Sequence, residues 1–362
     1  MKYRILPHGG ERISEIGLGM GYISGSEQEI IKTLDFAIEC GINFFDLVTY
    51  EKTPYSAYAR AFRGRRDQVM VQMHFGAVYD NGKYGWSRDL EQIKRTFQWQ
   101  LELFDTDYTD FGFLHCIDEQ KDVDDAFRNG LWDYMKEQKA EGHIRHLGFS
   151  SHNPSVARRL LDTGLIDLFM FSINPAYDYQ KGDYGLGEVE ERASLYRDCE
   201  RMGVGISVMK PFGGGQLLSE KTSPFGRKLT REQCIHYALD RPAVMTVLPG
   251  IRGMKDLKEI LSYENAADET KDYSVISEFA PSDAFGKCVY CNHCQPCPAG
   301  LNVGLINKYY DLAKAGDLLA AGHYEKLDQH ADDCIQCGHC DKRCPFHVAQ
   351  TERMKEIQAF FG

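Results

Sequence analysis

Eight of the twelve cysteines lie between residues 288 and 344 in two tight groups. Clustered thiols in a chain without a secretory signal read as metal or iron–sulfur ligands rather than disulfides. The second group, CIQCGHCDKRCP, supplies Cys334, Cys337, Cys340 and Cys344, followed by Pro345. This C-x2-C-x2-C-x3-C-P spacing wraps three thiolates around one corner of a [4Fe–4S] cubane and sends the fourth to another cluster. The first group, CVYCNHCQPCP, supplies Cys288, Cys291, Cys294 and Cys297, with one residue fewer before the last cysteine. Two such groups imply two clusters with exchanged fourth ligands: Cys288, Cys291, Cys294 and Cys344 on one, Cys334, Cys337, Cys340 and Cys297 on the other. The short interval leaves open which cysteine serves which cluster. Zinc also takes C-x2-C pairs, but structural zinc rarely needs four cysteines in one run closed by proline.

A second set of reactive side chains closes short apolar runs. Asp46 ends INFFD, with Tyr50 four residues on; His74 ends VMVQMH, His115 ends DFGFLH, and His152 follows LGFSS. Imidazole, carboxylate and phenol at such ends suit acid–base work, or a divalent metal at Asp46, His74, His115 and His152.

The elements that must position them alternate. Predicted strands cover 16–19, 43–48, 69–75, 109–115, 145–150, 168–173, 205–210 and 244–249, each followed by a helix-period stretch. Ser26 and Glu29 form a capping box for the first helix. Ile30, Ile31, Leu34, Ala37 and Ile38 give that helix one apolar face, and Gly41 ends it. Eight β-then-α units without hairpin signals between them match a (β/α)8 TIM barrel in count and size. A doubly wound sheet fits the alternation, but the GxGxxG after its first strand is absent. The opening YRILPHGGERISEIG reads as a hairpin with a Gly-Gly turn, suited to plugging a barrel bottom. From about 266 to 283 the chain turns polar and loses its period. The division is therefore a barrel over 1–275 and a mainly helical dicluster ferredoxin-like domain over 276–362.

At this point the chain resembles the aldo-keto reductases, in particular their branch with a C-terminal ferredoxin-like extension. The stretches that carry the resemblance are GINFFDLVTY, DYTDFGFLHCID, GHIRHLGFSSHN, SVMKPFGGG and VLPGIRGMKDLKE, together with both cysteine groups. The resemblance implies a tetrad of Asp, Tyr, Lys and His acting on a carbonyl with NADPH. By position these are Asp46, Tyr50 and His115, with His74 where the lysine is expected. Tyr50 also lies one residue closer to Asp46 than usual, which keeps Tyr55 as a second candidate. A protonated His74 would lower a neighbouring phenol's pKa as an ammonium does; a neutral His74 would be a general base in the oxidative direction. For the nucleotide, the resemblance points to Ser150 and Ser151, Lys210 and Gly213 of the PFGGG loop, Arg252 and Lys258. Cys116 reads as a packed small residue, and Trp86 as a loop aromatic beside the pocket.

The chain carries 42 Lys plus Arg against 53 Asp plus Glu, a formal net charge of −11, which argues against nucleic-acid or anionic-membrane partners. Neither a membrane-spanning run nor a signal h-region is read, and the expectation is a cytoplasmic protein. The expected function is an iron–sulfur oxidoreductase that interconverts an alcohol and a carbonyl in a small, sugar-like substrate, with a redox partner protein. A hydride carries two electrons and a cluster takes one, so coupling them calls for a converter such as a flavin, for which no site can be read. The alternatives are a metal-dependent lyase, isomerase or hydrolase, and a non-catalytic electron-transfer module.

Overall fold

The computed structural model describes residues 1–179, 185–278, 285–315 and 318–362. The chain opens on an antiparallel hairpin of β1 (Tyr3–Ile5) and β2 (Arg12–Ser14). Gly9 and Gly10, both at positive φ, turn it. Leu6 and Ile13 of this segment share one buried cluster with Phe44, Phe111, Phe113 and Met170. The hairpin thus fills one end of the barrel, as its sequence suggests.

Eight parallel strands follow: β3 (Leu18–Gly19), β4 (Phe44–Asp46), β5 (Met70–Phe75), β8 (Thr109–Leu114), β9 (Ile144–Ser151), β10 (Leu168–Ser172), β11 (Gly205–Met209) and β12 (Val244–Val247). They hydrogen-bond in that order, and the parallel bridges Ile16↔Val247 and Gly19↔Gly250 join the last strand to the first. The (β/α)8 expectation holds, with seven of the strands trimmed by one to two residues at one end or both and β9 longer by one residue at each end.

One expectation fails. A hairpin does interrupt the alternation: β6 (Ala77–Val78) pairs antiparallel with β7 (Gly85–Trp86) directly after β5. Strands of two residues show no period, so the apolar pattern cannot announce them. The only local signal is Asn81-Gly82, a turn dipeptide, with Gly82 at φ +77°.

The first helix, Glu27–Glu39, carries the Ser26/Glu29 capping box and buries Ile30, Thr33, Leu34 and Ala37. Short helical turns, Asp268–Lys271 and Ser274–Glu278, occupy the segment read as irregular; the rest of it, 279–283, falls outside the described residues.

The C-terminal region packs helices Val303–Lys314 and Gln350–Phe361 around a small core of Leu301, Ile306, Tyr310, Met354 and Ile357. It joins the barrel through Arg241, whose guanidinium donates to the Val289 carbonyl, and through Tyr273, whose hydroxyl lies 3.2 Å from the same oxygen. Among the described residues no helix is long and apolar enough to cross a membrane.

Candidate active site and cluster sites

Strand geometry explains why three of the predicted residues meet. Alternate residues of a strand face one side, and the inward rows run Phe44–Asp46, Met70–Gln72–His74 and Phe111–Phe113–His115. Register sets Asp46 beside Gln72 and His74 beside Phe113. Phe44, Phe111 and Phe113 fill the barrel interior, and the next inward positions emerge at the strands' C-terminal ends, where barrel chemistry sits.

These side chains form one hydrogen-bonded line. His74 Nε2 lies 2.8 Å from Asp46 Oδ1, and His74 Nδ1 lies 3.0 Å from His115 Nδ1. His115 Nε2 lies 2.6 Å from the hydroxyl of Tyr84, a residue absent from the sequence reading. Gln72 Nε2 donates to Asp46 Oδ1 at 3.0 Å. Asp46, His74 and His115 are buried. Burial and the neighbouring His74 hold His115 well below the usual imidazole range, while burial pushes the Tyr84 phenol up to about 12. Both are neutral around pH 7.

The two tyrosines suggested by resemblance lie elsewhere. Tyr55 is core: its hydroxyl donates to the Leu47 carbonyl and meets Tyr79 at 3.3 Å. Tyr50 is 64% exposed at the mouth, and its carbonyl accepts from the Tyr84 amide at 3.0 Å. The missed Tyr84 comes from the β6–β7 hairpin, so Asn81-Gly82 was the signal for it. Trp86 is 50% exposed on the same hairpin, with the Arg88 guanidinium 4.2 Å from its ring centroid.

A second constellation surrounds His152, which does not join Asp46, His74 and His115. Its Nδ1 lies 2.9 Å from Asp118 Oδ2, and its Nε2 lies 2.7 Å from Lys210 Nζ. Asp118 Oδ1 also accepts the His152 amide at 2.6 Å. Burial alone would raise the Asp118 carboxyl, but its bonds from His152 outweigh burial and hold it at about 2. Burial lowers Lys210 to about 8. Cys116 and Lys210 both adopt left-handed backbone, at φ +52° and +54°, a conformation non-glycine residues rarely take. Burial and Asp118 push the Cys116 thiol up to about 12, so it is no thiolate at neutral pH.

The remaining nucleotide candidates divide. Ser150 Oγ accepts the Cys116 amide at 2.8 Å and Ser151 Oγ donates to Asp118 at 3.3 Å, so both are tied into the mouth. Gly213, Gly214 and Gly215 run consecutively at positive φ, and a Cβ on either of the last two would meet nothing within 4 Å. That open loop has room for a ligand to pass closely. Arg252 and Lys258 are exposed, flanking and within the helix Met254–Leu261. The chemistry of this set fits a dinucleotide: glycine backbone for a pyrophosphate, two exposed cations for phosphate.

The cysteine groups build the same loop twice. Left-handed residues occur at Tyr290 and Asn292 in the first and at Gln336 and Gly338 in the second, two and four positions after the leading cysteine. Gly300 and His347, three positions after Cys297 and Cys344, are also left-handed. Each group leads six residues later into a helix, at Val303 and at Gln350. One cavity is lined by Cys288, Cys291, Cys294 and Cys344, and another by Cys297, Cys334, Cys337 and Cys340, with Cys294 between the two. Thiols grouped in fours around concave sites fit [4Fe–4S] clusters.

Similarity to known proteins agrees with this geometry. The family model described as Aldo/keto reductase family matches residues 15–234, and that of the 4Fe-4S dicluster domain matches 284–348. The chain is 26% identical to "Uncharacterized oxidoreductase YqkF" of Bacillus subtilis (strain 168), over 72% of this chain and 90% of that protein. It is 23% identical to L-galactose dehydrogenase of Arabidopsis thaliana, over 72% and 86%. Among solved structures, the holo form of aldo-keto reductase AKR11C1 from Bacillus halodurans aligns with a TM-score of 0.63 at 22% identity, covering 78% of this chain and 97% of that one. An aldo/keto reductase from Klebsiella pneumoniae in complex with NADP and acetate aligns at 0.54 and 17% identity, covering 78% and 96%. With strand-end Asp46, His74 and His115 in a closed eight-stranded barrel, and two cysteine loops beyond it, the chain belongs to the aldo/keto reductase family and is an iron–sulfur oxidoreductase with a 4Fe-4S dicluster domain.

Proposed function

We propose that the barrel interconverts an alcohol and a carbonyl in a small, polar, sugar-like substrate at Asp46, His74 and His115, and that the C-terminal region carries two [4Fe–4S] clusters. The observation that carries this reading is the unbroken line of hydrogen bonds from Asp46 through both imidazoles to a phenol at the mouth. Such a line moves a proton to or from a substrate oxygen without water. Bound NADP(H) would supply or accept the hydride, held by Ser150, Ser151, Lys210, Gly213, Arg252 and Lys258. Asp46 Oδ1, 2.8 Å from His74 Nε2, holds the closed end of that line. A neutral His115 can accept a proton on one ring nitrogen while releasing one from the other.

The division near residue 275 separates this chemistry from the electron store. Cys288, Cys291 and Cys344 pack against the barrel's core, whereas Cys337 is exposed. A cluster on Cys297, Cys334, Cys337 and Cys340 would therefore face a redox partner protein, and the other would face the barrel. A flavin would link one-electron to two-electron transfer.

Protein purified without oxygen tests both halves. We expect about eight irons and eight acid-labile sulfides per chain, brown absorbance that bleaches with dithionite, and NADP-dependent turnover of a polyol or aldose. Cys340→Ala should remove about half the iron. Stoichiometric zinc without iron would overturn the cluster reading. Failure to turn over any alcohol or carbonyl would overturn the barrel reading, and extraction of bound organic cofactors would decide the flavin.

A further inference from the structure

We propose that Tyr84, from the hairpin after the third barrel strand, is the residue that exchanges the proton with the substrate oxygen, through a relay that ends on His74 beside the Asp46 carboxylate. The inference rests on the alcohol–carbonyl reading above and assigns its missing phenol.

The hairpin is pinned in place. Tyr84 N–H donates to the Tyr50 carbonyl at 3.0 Å, Lys52 N–H donates to the Gly82 carbonyl at 2.8 Å, and the backbones of Glu51 and Lys83 pair as an antiparallel β-bridge. Beyond it, Ser87 N–H donates to the Gly76 carbonyl at 2.9 Å, and Arg88 Nη2 donates to the Cys116 carbonyl at 2.9 Å. The phenol is thus held from both ends of its loop while the residue remains 37% exposed at the mouth.

The donors assign themselves from the closed end. Asp46 Oδ1 can only accept, so His74 Nε2 carries a hydrogen and donates to it. Gln72 Nε2 lies 2.8 Å from the same ring nitrogen, but a protonated Nε2 has no lone pair for it, and its bond goes to the carboxylate. His74 Nδ1 is then an acceptor, and His115 Nδ1 donates to it. His115 Nε2 in turn accepts, and the Tyr84 hydroxyl donates to it. Every donor points the same way, toward Asp46. The lone pairs on the Tyr84 oxygen are left for a ligand in the mouth.

In the oxidative direction the bookkeeping closes. The substrate O–H bond breaks and its proton goes to the Tyr84 oxygen, as the Tyr84 proton passes to His115 Nε2. The Nδ1 proton of His115 passes to His74 Nδ1. His74 becomes an imidazolium beside the Asp46 carboxylate, and Tyr84 and His115 are again neutral. The electron pair of the carbon–hydrogen bond leaves as the hydride, for which the oxidised nicotinamide is the acceptor class. Reduction runs every transfer backward, and the proton is delivered to the carbonyl oxygen.

The same position permits a merely supporting role, in which Tyr84 only props His115. The test uses full-length protein with its clusters intact, one accepted alcohol, and the variants Tyr84→Phe and Tyr50→Phe. Tyr84→Phe should lower kcat at least ~10²-fold, the low end for a positioned general acid or base, with a much smaller change in KM. That loss should exceed the loss from Tyr50→Phe by at least about tenfold. Independently of turnover, ¹⁵N spectra of the histidine rings should show the His115 Nε2 signal moving in Tyr84→Phe and staying in Tyr50→Phe. A greater loss in Tyr50→Phe, or wild-type kcat in Tyr84→Phe, overturns the proposal and leaves the alcohol–carbonyl reading standing. An unmoved His115 signal overturns the relay. A wild type inactive on every alcohol and carbonyl overturns the reaction and any catalytic role for Tyr84, while the ring signals still decide whether the relay exists.

Discussion

Two Asp–His pairs stand at the mouth of this barrel, and they are built for opposite purposes. In the first, Asp46 meets His74 on the strands, and the next partner along is a second imidazole, 3.0 Å away. At that distance the two ring nitrogens share one hydrogen, which gives a proton a route from one ring to the other. In the second, Asp118 holds both the ring and the backbone amide of His152, and the far ring nitrogen meets an amine. That carboxylate sits at about 2 and that amine at about 8, so the pair keeps its charge at pH 7. The same two residue types thus make a conductor where a ring follows and an anchored charge where a lysine follows. Under the proposed function, the first pair transfers the proton and the second positions the cofactor.

The largest expected effect breaks the first pair. His74→Ala interrupts the only path from His115 to Asp46 in that line and should lower kcat by ~10²–10⁴-fold, with little change in KM, in steady-state assays across pH 6–9. Unchanged turnover would abolish the contrast between the pairs.

A smaller and different effect follows at the second. Lys210→Met should raise the KM for the nicotinamide nucleotide about tenfold, a loss of roughly 1.4 kcal/mol, while kcat changes far less. ¹³C-labelled lysine should give one side-chain resonance that titrates near 8, for Lys210, well below the ordinary lysine range. Because the Asp118 charge raises the Lys210 value against burial, Asp118→Asn should move that titration lower still. A shift upward would show that the carboxylate does not act on the amine.

The smallest effect is on stability. Asp118 is depressed from 3.8 to about 2 on folding, so its ionised form stabilises the fold by about 2 kcal/mol near neutrality. A depressed carboxyl contributes fully above its unfolded value and loses that contribution as pH falls through the folded one. Urea unfolding followed by tryptophan fluorescence should therefore show Asp118→Asn less stable at pH 7, with the gap constant down to about pH 4 and narrowing below it. A gap that widens in acid would contradict the assignment.

Much of this was legible in the chain. Asp46, His74 and His115 could be placed because each ends an apolar run, and a parallel barrel exposes its strand ends. The capping box at Ser26 and Glu29 and the hairpin turn at Gly9-Gly10 are local matters that propensity decides. Tyr84 was hidden because β6 and β7 are two residues long and leave no alternation to read. Tyr50 was favoured because it falls nearest the position where the resemblance places the tyrosine. Across the mouth, however, it is the neighbouring hairpin's phenol that reaches His115.

What the sequence by itself determined was the kind of each element and its chemistry: eight barrel strands, the strand-end acid and imidazoles, and two cysteine loops spaced for iron–sulfur clusters. These depend on contacts a few residues apart, where backbone conformation and side-chain period govern. What only the tertiary structure decided was partnership. His74 pairs with His115 across 41 residues, His152 pairs with Lys210 across 58, and Cys344 closes a cavity with Cys288, Cys291 and Cys294. Such pairings follow from how the barrel closes and how the second domain folds back, because hydrogen bonds form only at distances that packing, not spacing along the chain, sets.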